Sequence, residues 1–134
     1  MTIDVNPTAD EMCALHDDLK IYEAQLATYL SSDVGQKDLN YAALAKADIQ
    51  LNLKIYNLSN AQLQLFGVNA GAAVDAINSA VSNLTGLIAA KVKIETDLGI
   101  AQSAISFVVA LLSGNSSDIV STGGTLVSKL KAVA

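Results

Sequence analysis

The sequence predicts an all-α fold: an elongated antiparallel helical bundle of three long helices plus a short C-terminal helix, forming one domain over residues 1–134. Three observations predict it. Apolar side chains recur at alternating spacings of three and four, the period of a single helix face. The interruptions carry helix-boundary chemistry, at Thr8 with Glu11, at Ser31-Ser32, at Gly67 to Gly71 and at Gly114 to Ser117. No stretch alternates apolar and polar residues between turn signals as a strand hairpin does.

The first helix is expected at about 9–31. Thr8 and Glu11 form a capping box in which hydroxyl and carboxylate satisfy reciprocal backbone donors. Met12, Leu15, Leu19, Tyr22, Leu26 and Tyr29 then line one face like a coiled-coil seam. Asp33-Val34-Gly35-Gln36 reads as a turn.

The second helix, about 38–66, carries two apolar stripes. At 100° per residue, Ile49, Leu53, Tyr56 and Leu63 share one side, and Leu44, Leu51, Ile55, Leu58 and Leu65 share another roughly 180° away. Polar residues such as Gln50, Asn57, Asp48 and Asn52 fill the flanks between them. A helix on the surface of a globular protein needs one apolar stripe. Two opposed stripes imply two sets of neighbours: either the first and third helices lie on opposite sides of the second, or one stripe faces another copy or a partner.

Gly67, Asn69 and Gly71 end that helix, and the third is expected as one rod over 72–113, in preference to a break at Thr96-Asp97. Val74, Ile77, Val81, Leu84 and Ile88 continue the seam, Lys91 and Glu95 interrupt it, and a wide apolar arc follows from Ile100 to Leu112. A rod of that length would span about 60 Å. A final, weaker helix, about 118–132, is capped by Asp118 and is expected to break or fray at Gly123-Gly124, where each glycine costs about 1 kcal/mol relative to alanine.

Composition narrows the function classes. Of the residues 51% are hydrophobic and 16% charged, which excludes a chain held disordered by its own charge. Eight lysines, with no arginine, face thirteen acidic residues for a net charge of −5. Nucleic acid, which selects a basic footprint, is therefore not an expected partner. Cys13 is the sole cysteine, so no intrachain disulfide can form. Met1 to Pro7 has no basic segment leading into an apolar one, so the expected location is cytoplasmic, or exported without a cleavable signal. Two uncharged tracts, Ile55 to Val74 and Leu98 to Ser117, approach the length of a spanning helix but hold several amides and hydroxyls.

Catalytic and metal chemistry find little to work with. Cys13, His16 and Asp17 can share one side of the first helix, yet a zinc site wants three or four converging ligands and the chain has no second cysteine or histidine. The carboxylates are scattered, no glutamate-histidine pair of the di-iron type occurs, and no phosphate-binding glycine loop is present. Asn57, Asn83 and Asn115 match the glycosylation acceptor pattern, which without a signal reflects an Asn- and Ser-rich composition. No enzyme, cofactor or metal site is expected.

The functional expectation rests on surplus apolar surface. One stripe of the second helix and the wide arc of the third exceed what a simple bundle buries. Contiguous apolar patches above a few hundred Å² are uncommon on soluble monomers. Leu44, Leu51, Ile55, Leu58, Leu65, Phe107, Val108 and Leu111 are accordingly expected to form a self-association or partner interface. The expected function is that of a non-enzymatic structural or interaction protein, a homo-oligomer or a binder of another helical protein. The alternative is a membrane-active helical protein, a pore-forming toxin component or lipid-surface coat. It would use either the nearly uncharged stretch from Ile55 to Ala90, where Asp75 is the one formal charge, or the segment 98–113. A membrane surface is the less favoured partner, since no basic amphipathic face is present.

Overall fold

The seam of the first helix folds inward as its spacing requires. Leu15, Leu19, Tyr22 and Leu26 are fully buried along α1 (Ala9–Ser31), one row facing the core. The computed structural model describes residues 9–59, 70–91, 94 and 97–133. Among them are five further helices: α2 (Asp33–Gln36), α3 (Tyr41–Ser59), α4 (Ala70–Ala89), α5 (Leu98–Ser113) and α6 (Ser116–Val133). No strand occurs among the described residues. The fold is all-α.

The turn after α1 is a single helical turn held by short polar contacts. The Ser32 hydroxyl donates to the Tyr29 carbonyl at 2.6 Å and accepts from the Gly35 amide at 3.0 Å. Gly35 lies so close to the Tyr29 carbonyl that a Cβ there would collide with backbone. Asp38 then joins two helices. One carboxylate oxygen accepts from the Tyr29 hydroxyl at 2.6 Å and the other from the Asn40 amide at 2.8 Å, just before α3 begins.

The expected third rod is two helices. Lys91, just beyond α4, takes a left-handed conformation at φ 57°, which ends the helical path. Asp97 caps α5 by accepting from the Ile100 amide at 3.1 Å. Between the two, Ile94 is fully buried and anchors the connection to the core. The physical reason is the wide apolar arc. Folded back, α5 buries Ile100, Ala101, Ala104, Phe107, Val108, Ala110 and Leu111 within the same chain, where a straight rod would have carried them past their neighbours.

The C-terminal helix is also longer and more regular than expected. Gly114, at φ 75°, closes α5 by donating its amide to the carbonyls of Ala110 and Leu111. The cap of α6 is the Asn115 side chain, which accepts from the Asp118 amide at 3.1 Å; Asp118 sits inside the first turn and is not the cap itself. The helix runs unbroken through Gly123-Gly124 because packing needs the first of them. A Cβ at Gly123 would stand 3.0 Å from the Phe107 ring and 3.1 Å from Ala76 Cβ.

The long helices close into a ring. α1 packs on α3 and α4, α3 on α5, α5 on α6, and α6 on α4, with α2 against α1. The expected all-α bundle is thus formed, with five long helices among the described residues where three long and one short were expected. Among the described residues α3 and α4 are not an extensively packed pair. Tyr22 and Phe107 are the largest fully buried side chains of the core. A smaller cluster, Leu26 and Leu30 with Leu44, ties the end of α1 to the start of α3, and Leu98 packs against both clusters.

Candidate interaction surface

α3 has two apolar faces, and the ring uses one. Leu44 and Leu51 are fully buried, and Ile55, Leu58 and Ala47 nearly so, against α1 and α5. On the opposite side Ile49 is 70% exposed, Leu53 55% and Tyr56 66%. These three follow one another at spacings of four and three, so they form a continuous row along the outer surface of the helix. Lys46, Gln50 and Asn52 border the row and are exposed.

The residues expected to form the interface are therefore placed differently. Leu44, Leu51, Ile55, Leu58, Phe107, Val108 and Leu111 lie in the core of the single chain and present no outer surface. Leu65 falls outside the described residues, as do Thr8 and most of the tip between the second and third helices. Both stripes are present in the sequence, and the one expected to face outward is the one that faces the core. One signal separates them. The buried stripe reaches the helix start through Leu44, whereas the exposed one meets Ala42 and Lys46 at its beginning.

Other large apolar groups are exposed near the α1–α3 connection. Leu39 is fully exposed, and Val34 and Tyr41 are exposed beside it. On neighbouring helices Ile21 of α1 and Val109 of α5 are each a little under half exposed. Scattered single apolar residues are ordinary on a protein surface; an aligned row is not.

Two carboxylates mark the α1–α3 contact. Glu23 is held above its ordinary value of 4.5, first by burial and then by the nearby Asp48 carboxylate, with Lys20 partly offsetting both. Burial also raises Asp48 above 3.8, and its Oδ1 is buried without a hydrogen-bond partner. This pair is polar but has no third ligand for a metal. Among the described residues no group of three or more His, Cys, Asp or Glu side chains could hold an ion. Cys13 is exposed as a free thiol, and His16 contacts Asp17 at 3.3 Å near the helix surface. Among the described residues no helix is long and apolar enough to cross a membrane. No family model, curated protein or solved structure matches the chain.

Proposed function

We propose that this chain is a non-enzymatic interaction protein that pairs with a second copy of itself through the outer face of α3. The observation that carries the reading is the row Ile49, Leu53 and Tyr56, more than half exposed on a helix whose opposite side is already built into the core. Removing such a row from water is favourable by about 25 cal/mol per Å² before association costs are met. Lys46, Gln50 and Asn52 supply the polar rim that surrounds the apolar centre of a typical interface. An isologous pairing, in which the same helix face serves both copies, is the commonest oligomer symmetry and needs no second surface.

The test is a methyl NMR dilution series. Self-association predicts that the Ile49 and Leu53 methyl resonances move with protein concentration while those of the buried Leu51 and Leu84 stay in place. Resonances that do not change between high and low micromolar protein would remove the reading. A shift of the same methyls only on adding lipid vesicles would replace it with a membrane-surface role.

A further inference from the structure

The outer row of α3 has the spacing of a coiled-coil seam. Ala42, Lys46, Ile49, Leu53 and Tyr56 follow one another at steps of four, three, four and three, and all five are exposed. In a heptad, Lys46 and Leu53 then stand at a, and Ala42, Ile49 and Tyr56 at d. The seam extends over about 21 Å of helix. It lies on the side of α3 away from the core stripe of Leu44, Leu51, Ile55 and Leu58.

Lys46 is the odd member of the seam. Among the described residues of α3 that are exposed, it alone is charged. Asp48 and Lys54, both half-buried, lie about 120° to either side of the row. A single lysine at an a position of an otherwise apolar seam selects between pairing arrangements, because each arrangement sets a different group opposite it.

Two copies related by a twofold axis can lay their α3 helices parallel or antiparallel. In the parallel arrangement each position meets itself, so Lys46 faces Lys46 of the other copy across one layer. Two ammonium groups then repel each other and lose water, and no carboxylate is exposed on α3 to offset them. In the antiparallel arrangement a faces d. Ile49 then meets Leu53 of the other copy, and Lys46 meets Tyr56. The apolar side chains fill the centre and the two lysines move to opposite ends. There each apolar stem lies along a tyrosine ring, with the ammonium over the ring face at the edge of the water.

We infer that α3 pairs with α3 of a second copy as an antiparallel seam, Ile49 against Leu53 and Lys46 against Tyr56, and that Lys46 is the residue that selects this direction. The inference rests on the self-pairing proposed above and adds its direction and the side chain that sets it.

Disulfide trapping in the full chain tests it. A Cys13→Ser background removes the exposed native thiol. In that background an Ile49→Cys chain and an isotope-labelled Leu53→Cys chain are oxidised alone and mixed at tens of micromolar, and the products are read by intact mass. A Ser128→Cys chain, exposed on α6, gives the rate of random collision. A bridge needs Cβ atoms about 3.5–4.5 Å apart. In the antiparallel seam residues 49 and 53 share a layer, whereas 49 with 49, or 53 with 53, are displaced along the helices by about 6 Å. The expected result is a mixed disulfide that forms about tenfold faster than either self-disulfide. With Lys46→Leu added to both chains, that preference should fall severalfold as the parallel arrangement becomes accessible. A self-disulfide at 49 that forms as fast as the mixed one overturns the direction while leaving self-pairing intact. An unchanged preference in the Lys46→Leu chains overturns the role of Lys46. Trapping no faster than at Ser128 in every combination removes the pairing itself, and the inference with it.

Discussion

Leu51 and Leu53 are two positions apart on α3 and face opposite ways: Leu51 is fully buried against the ring of helices and Leu53 is 55% exposed. The 200° between them follows from helix geometry, and it sets two different consequences for the same chemical change. Leu51→Ala removes a core side chain and is expected to cost about 2–5 kcal/mol. Leu53→Ala is expected to stay within about 0.5 kcal/mol when the chain is dilute. Urea unfolding of the two variants at low protein concentration checks the difference.

The adjacent glycines of α6 make a similar contrast. Gly123 meets the Phe107 ring and Ala76, whereas Gly124 has open space where a Cβ would stand. Gly123→Ala must push Phe107 aside and is expected to destabilise by about 1–3 kcal/mol. Gly124→Ala gains helix propensity and is expected to stabilise by about 0.5–1 kcal/mol. Thermal melts of both variants give the signs directly.

Stability should rise in mild acid through Glu23 and Asp48. Both carboxyls sit above their ordinary values of 4.5 and 3.8, chiefly because burial disfavours the charged form. Their contribution is therefore fully present below those ordinary values and is lost as pH rises through the higher folded ones. Asp48→Asn keeps a neutral side chain at every pH. It is expected to be more stable than the parent at neutral pH, with the gap narrowing as pH falls toward 4. Denaturant midpoints of both proteins across pH 4 to 7 measure the gap.

Tyr29 and Asp38 act in the opposite direction. The Tyr29 hydroxyl and the Asn40 amide donate to the Asp38 carboxylate and hold it below its ordinary 3.8. That contribution is present above 3.8 and is lost as pH falls through the lower folded value. Tyr29→Phe is expected to destabilise at neutral pH and to match the parent once Asp38 is protonated. The same unfolding series, extended to more acid conditions, tests it.

Much of the architecture was legible in local spacing, and the misreadings share a cause. The α1 boundaries follow from a seam that stops at Ser31, a purely local signal. The break between α4 and α5 does not, because Lys91 and Glu95 weaken the seam without a proline or glycine to end it. What ends it is tertiary: Ile94 and the α5 arc both find burial only after the chain turns. The continuity of α6 likewise depends on Phe107 and Ala76, which are distant in sequence from Gly123. For α3 the pattern showed two faces correctly. Which of them is covered depends on where α5 comes to rest, and helical periodicity is the same for either choice.

Sedimentation velocity over a concentration series, on the parent chain and on an Ile49→Glu, Leu53→Glu double variant, tests the role of α3 most directly. The parent is expected to sediment as a discrete oligomer at tens of micromolar, and the double variant as a monomer with the same helical content. A parent chain that remains monomeric across that range, or a double variant that still assembles, would contradict the account.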